Sequence, residues 1–174
     1  MGKLEDFCRK AIELGAAKAK IIKAEDVIVA DWVRLKCQYG CGGYGKRLTC
    51  PPYSPTPSET RKVIAGYRRA ILLKFRSCQE CAEQPAVNIH QFITEMERDL
   101  FLSGYYAAFG MACGPCDLCT QCNLEECRKP DLARPSMEAC GIDVYATARK
   151  AGFKIEVLTR RDQIPRCFAL VLVE

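Results

Sequence analysis

Residues 114–127 read GPCDLCTQCNLEEC, with thiols at Cys116, Cys119, Cys122 and Cys127, and Cys113 standing just before. No other feature constrains the chain so strongly. Cysteines in the pattern C-x2-C-x2-C let one short loop wrap a compact inorganic core. The intervening pairs turn the backbone so that amide hydrogens can point at sulfur. The bacterial ferredoxin run is C-x2-C-x2-C-x3-C-P. Here the first three positions match, Cys127 follows after four residues instead of three, and Pro130 stands three residues beyond it. Structural zinc is the main alternative. Its usual pattern is two CxxC knuckles a dozen or more residues apart, and with His90 as the lone histidine there is no imidazole-rich site.

A second set is Cys37, Cys41 and Cys50, in the pattern C-x3-C-x8-C-P-P, with Gly40, Gly42, Gly43 and Gly45 among them. The glycines allow close approach of backbone to a ligand, and Pro51 stiffens the way out. The bland reading is a tight loop with buried thiols. CQYGCGGY also approaches the radical-SAM motif C-x3-C-x2-C. Tyr44 replaces its third cysteine, and the chain is too short for the barrel such enzymes use. Each triplet needs a fourth ligand, and Cys127 and Cys140 are the candidates. By the ferredoxin crossing, Cys127 joins Cys37, Cys41 and Cys50, and Cys140 completes Cys116, Cys119 and Cys122. The reverse pairing stays open. Cys78 and Cys81 form a further CxxC without a partner pair and read as spare thiols. Cys8, Cys113 and Cys167 read as core residues, although Cys113 continues the three-residue register and could replace a neighbour as ligand.

Thirteen cysteines in 174 residues demand a reason, and small size is not one, because half the chain is apolar and can build a core. The N-terminal stretch is an amphipathic helix pattern without a signal-peptide core, and no run approaches a membrane span. These features place the chain in the cytoplasm, where cysteine-rich sequences hold metal more often than disulfides. The formal charge is +5. Eight thiolates around two four-iron cores of charge 2+ would reduce the working charge to roughly +1. No nucleic-acid or membrane partner is therefore expected.

The remaining pattern alternates helices and strands. Leu4, Phe7, Cys8 and Ala11 mark a helix over 3–15, and VIVADWVRLKC (27–37) alternates as a strand. Thr56-Pro57-Ser58-Glu59 reads as a capping box opening a helix to about Tyr67. RAILLKF (69–75) reads as a buried strand, and residues 86–108 as the longest helix, with a deeply buried C-terminal end. Ser136 should cap a helix running to Ala151, with Gly152 beyond its end. FKIEVLT and RCFALVLVE close the chain as strands. These elements predict an α+β (or α/β) fold: a mixed sheet with packed helices, and a ferredoxin-like cluster segment. One domain spans 1–174, with cluster loops at about 37–57 and 113–140.

The runs VRLKCQYGCGGYGKRLTCPPYSPTP, ERDLFLSGYYAAF, GPCDLCTQC and ARPSMEACGIDVYATARKAG resemble the predicted metal-binding proteins grouped as domain of unknown function 2284, found mainly in anaerobic archaea and bacteria. The resemblance covers most of the chain and implies metal binding. Its matching positions are Cys37, Cys41, Cys50, Cys116, Cys119, Cys122, Cys127 and Cys140, while Cys8, Cys78, Cys81, Cys113 and Cys167 fall outside it. It supplies no reaction.

Three functions fit. The first is an electron carrier with two 4Fe-4S clusters serving a larger redox partner protein, since no nucleotide loop, flavin fingerprint or catalytic His/acid grouping is evident. The second is an enzyme with an open iron on one cluster, acting on a small acidic or sulfur-containing substrate. Arg34, Lys36, Lys46 and Arg47 flank the first loop and could bind such a substrate; solvated charges are the plainer account. Tyr39, Tyr44 and Tyr53 could supply a proton or simply pack. The third is a metal-stabilised binding or redox-sensing module. A single cluster, or zinc, would replace the two clusters in the poorer fits.

Overall fold

The computed structural model describes residues 3–75, 87–160, 162–163 and 165–174. Cys78 and Cys81 lie outside the described residues. Among the described residues four strands form one sheet: β1 (Lys18–Lys23), β2 (Arg69–Phe75), β3 (Phe109–Met111) and β4 (Cys167–Leu172). Their order is β1-β2-β4-β3, and every pairing is antiparallel. Five helices accompany them: α1 (Leu4–Glu13), α2 (Asp31–Gly40), α3 (Pro57–Ala65), α4 (Ile89–Leu102) and α5 (Val144–Lys150). The class is α+β, as the sequence pattern implies.

Both faces of the sheet are covered, which explains the unbroken apolar runs of β2 and β4. Ala70 and Leu72 of β2 and Phe168, Leu170 and Leu172 of β4 face a core shared with Met137, Cys140, Ile142 and Ala148. Ile71, Leu73 and Phe75, with Ala169 and Val171, face a second core with Leu4, Phe7, Phe92, Ile93 and Leu100. Helices α1 and α4 therefore seal one face. The turn at 137–142 and α5 seal the other; the first cysteine loop packs on that turn, and the second is tied to α4 by Arg134 and Glu97.

Several local expectations hold. Thr56 and Glu59 form the capping box: Thr56 Oγ1 accepts from the Glu59 backbone N–H, and the Thr56 N–H donates to Glu59 Oε2 at 2.7 Å. Such a cap contributes about 1 kcal/mol. Gly152 follows α5 with φ +79°.

Others are corrected. The expected strand at 27–37 is mostly helix, because Val33 and Cys37 sit four residues apart and share the inward face of α2, while Leu35 is exposed. The helix expected over 86–108 stops at Leu102, followed by Gly104 at φ +99°. Its C-terminal end is not buried: Phe101, Leu102 and Tyr106 are 56%, 76% and 83% exposed. The helix expected from Ser136 to Ala151 is broken at Gly141. That residue has φ +79°, and a Cβ there would lie 2.7 Å from Pro57 Cγ. A 3-10 turn (Glu138–Cys140) precedes the break, and α5 starts afresh with Asp143 accepting from the Ala146 N–H. FKIEVLT forms no strand. β1, unforeseen, is an edge strand studded with Lys18, Lys20 and Lys23, a composition that blunts edge-to-edge pairing.

Candidate metal centre

Cys37 sits in the last turn of α2, and the chain then loops through Cys41 and Cys50 to the cap of α3. Arg34, one turn before Cys37, clamps this loop by donating to the carbonyls of Pro52, Ser54 and Pro55 at 3.3, 3.3 and 3.0 Å. Arg34 is thus a positioning residue for the loop. Ser54 Oγ donates to the Ala139 carbonyl at 2.7 Å, and the Ala30 N–H to the Gly141 carbonyl at 2.9 Å. Cys37 Sγ lies 3.9 Å from the Glu138 carbonyl. The loop is thereby pinned against the 3-10 turn.

Cys37, Cys41 and Cys50 converge. Burial raises the Cys37 and Cys50 thiols above their usual range, and neighbouring Cys41 pushes each further. A Cβ placed on Gly43 would touch Cys41 Sγ at 3.6 Å, Cys50 Sγ at 3.7 Å and Pro115 Cβ at 3.7 Å. Glycine at 43 therefore keeps open the space between two sulfurs. The Gly43 N–H donates to Cys41 Sγ at 3.4 Å.

Cys116, Cys119, Cys122 and Cys127 come from a loop without helix or strand, and all four line one narrow hollow of about 20 Å³, walled also by Arg47, Leu48 and Thr49. The loop is closed at its base: the Ala112 N–H donates to the Pro135 carbonyl at 2.8 Å and the Met137 N–H to the Ala112 carbonyl at 3.1 Å. Arg134 grips Glu97 of α4 with two bonds, at 2.7 and 2.9 Å, and Glu97 Oε2 also accepts from the Gly110 N–H at 2.7 Å. That hydrogen-bonded carboxylate holds the Arg134 guanidinium pKa above its usual value. Cys113 is disulfide-bonded to Cys167 at the start of β4, so both leave the list of plain core thiols, and Cys113 is not a spare ligand. Burial raises the Cys116 thiol, and the Leu118 backbone N–H opposes the rise. In both loops, then, the amide two residues beyond a cysteine points at its sulfur.

The two sets are neighbours, since Cys116 also raises Cys50. Cys127 lines the same hollow as Cys116, Cys119 and Cys122. Cys140 lines neither the hollow of the second set nor the cavity of the first. It is fully buried in the core, borders a different cavity with Thr60, Tyr67 and Met111, and has its thiol pushed up to about 12, chiefly by burial. Cys8 is half-buried on α1, with its thiol raised to about 11 by burial and by Glu5.

The first set faces a cavity of about 620 Å³. Trp32, Lys36, Tyr44, Tyr145 and Arg149 line it, as does Glu138. Among the described residues Glu138 Oε2 has no hydrogen-bond partner, and burial raises the carboxyl pKa against the opposing hydrogen bond from Ser136. Sequence reading missed Glu138; its only signal was its place two residues before Cys140. His90 was also passed over. It is buried at the start of α4 close to Asp117 of the second loop, and burial pulls its pKa down against the opposing pull of Asp117.

Among the described residues, no three of Cys, His, Asp and Glu are gathered as for a single metal ion. None of the described helices is long and apolar enough to cross a membrane. The family model for a predicted metal-binding protein, DUF2284, matches residues 20–173. The chain belongs to that family. No curated protein and no solved structure is matched by it. Both cysteine loops, and every residue of the large cavity wall named above, fall within the matched span.

Proposed function

We propose that this metal-binding chain is an iron–sulfur protein that carries two 4Fe-4S clusters and passes electrons to or from a larger redox enzyme. The observation that carries this reading is the grouping of four thiols from one short loop around one hollow, with a second set of three beside it. The donor chemistry suits such a group, and the four-thiol loop, which has no helix or strand, would have to open around a core larger than its hollow of about 20 Å³. The donors are all thiols, amide hydrogens already point at Cys41 and Cys116, and Gly43 keeps open the space between two sulfurs. Cys116, Cys119, Cys122 and Cys127 would hold one cluster. Cys37, Cys41 and Cys50 would hold three corners of the other. When bound, such clusters accept and release single electrons at potentials set by hydrogen bonds and burial. The chain's part is to bring the two sets close and to shelter them.

A second reading is favoured by a specific observation. Cys37, Cys41 and Cys50 line the large cavity while Cys140 lines another, and a cluster held by those three thiols alone would leave one iron without a cysteine. An iron with an open position is a Lewis acid and could engage a small substrate.

Strictly anaerobic purification, followed by counts of iron and acid-labile sulfide, tests the proposal. Two clusters require about eight of each per chain, and electron exchange requires reversible reduction seen by EPR. Zinc in place of iron, or a chain that folds fully without sulfide, would overturn it.

A further inference from the structure

One sulfur pair belongs to neither cysteine set. Cys113 is bonded to Cys167, 54 residues further along the chain. Both residues are partly exposed, in contrast to the fully buried Cys140. The residues beside both halves of this cystine wall the cavity of about 620 Å³ that the Cys37 set faces. Gly114 and Pro115 follow Cys113 there, and Pro165 and Arg166 precede Cys167. Pro115 reaches the Cys37 set itself: a Cβ built on Gly43 would lie 3.7 Å from both Pro115 Cβ and Cys50 Sγ. The cystine therefore stands beside a space of the size that takes small organic molecules.

The crosslink is not what holds its surroundings together. β3 ends at Met111, just before Cys113, and pairs with β4 from Phe109–Leu172 to Met111–Leu170. β4 in turn pairs along its whole length with β2. Gly114 follows Cys113 at φ +71°, and a Cβ built there would meet no atom within 4 Å. The backbone beside the sulfur thus has room to adjust when the bond opens. A cystine that a thiolate can reach, and that the sheet does not depend on, is of the reducible kind.

We propose that Cys113 and Cys167 form a redox-active pair, and that the cavity admits a small dithiol to it. A thiolate of the dithiol attacks one sulfur, the S–S bond breaks, and the other sulfur leaves as a thiolate. The second thiol of the dithiol then attacks its own partner sulfur in the mixed disulfide and releases the remaining cysteine. The dithiol becomes a disulfide. Its two electrons reside on the cysteine pair, and its two protons end on the Cys113 and Cys167 thiols. This exchange goes beyond the two-cluster reading and does not rest on it, because the pair and the cavity belong to the chain itself.

The test uses the full chain with its metal complement, under anoxia, in buffers of reduced and oxidised dithiothreitol. Maleimide labelling followed by peptide mass analysis reads Cys113 and Cys167 separately from the other thiols. Both should become reactive together as the reduced fraction rises, and become protected again when the ratio is reversed. Circular dichroism should stay unchanged throughout. Thioredoxin, a protein dithiol too large to enter the cavity, should act about tenfold more slowly than dithiothreitol at equal dithiol concentration. A pair that stays closed until denaturant is added, that fails to re-form, or whose opening unfolds the chain overturns the proposal. Faster reduction by thioredoxin overturns the cavity as the route. Iron counts on the same samples separate the two ideas. A cycling pair in an iron-poor chain sinks the two-cluster reading alone, and a closed pair in an iron-loaded chain sinks the redox-active pair alone.

Discussion

Cys37, Cys41 and Cys50 lie in the last turn of a helix and the loop after it and open onto about 620 Å³ of space, whereas Cys116, Cys119, Cys122 and Cys127 come from an irregular loop and close around about 20 Å³. The residue type is the same, and so is the habit of aiming a nearby amide at sulfur. The difference lies in the support. The first set hangs from α2 and is clamped by Arg34 and Ser54, so its sulfurs occupy one side of a cavity. The second is a loop tied at its base, without helix or strand of its own. A loop of that kind gains most from a filling, because metal affinity and folding are coupled. In our reading the closed set carries electrons, and the open set meets a ligand.

The sharpest way to break this contrast is Cys116→Ser. It should remove about half the iron per chain and lower the melting temperature by the largest margin of any single change; unchanged iron, measured colorimetrically, would remove the closed set from the account. Next comes Glu97→Ala, which leaves the Arg134 guanidinium and the Gly110 N–H without their partner. Both side chains of that pair are largely buried, at 16% and 17% exposed. The loss should be about 2 kcal/mol in denaturant unfolding, and EPR should show it disturbing the closed set and sparing the open one.

Ser54→Ala strips the Ala139 carbonyl of a 2.7 Å hydrogen bond in a buried place. It should cost about 1.5 kcal/mol and loosen the open set, seen as faster loss of its cluster to a chelator. Cys140→Ala should be the mildest, at about 1 kcal/mol with iron content unchanged. Its pH signature sharpens the point. The folded thiol titrates near 12, against an ordinary value of 9.0. The folded chain therefore keeps a proton that the unfolded chain releases, so the stability is fully present below pH 9.0 and is lost as pH rises toward 12. Removing the thiol should flatten that alkaline decline. A fall in iron content in Cys140→Ala would instead make Cys140 a ligand and erase the difference between the sets.

Much of the scaffold was legible because periodicity and capping chemistry act locally. The stripe of Leu4, Phe7 and Ala11, the Thr56–Glu59 box and the apolar run of β2 all formed as read. The misreadings share a cause. In residues 27–37, helical and strand periods coincide on Val33 and Cys37, and contact with the turn at 138–140 selects the helix. β1 was hidden because its lysines mask the one deeply buried position, Ile22. Gly141 ends a helix pattern that otherwise runs on, and its positive φ and the nearby Pro57 show why it is glycine. The cysteine positions were plain in the sequence. Their surroundings were not, since spacing cannot say that Cys140 is buried in the core while Cys127 shares a hollow with Cys116, Cys119 and Cys122.

The contrast between a closed and an open sulfur set is tested most directly by Mössbauer spectroscopy on the chain loaded with isotopically enriched iron, with and without added cyanide. Our account predicts two four-iron cores, one of which has a single iron distinct from its neighbours, and only that iron should shift when cyanide is added. A spectrum in which every iron is sulfur-ligated and none responds, or a chain that takes up no iron at all, would contradict it.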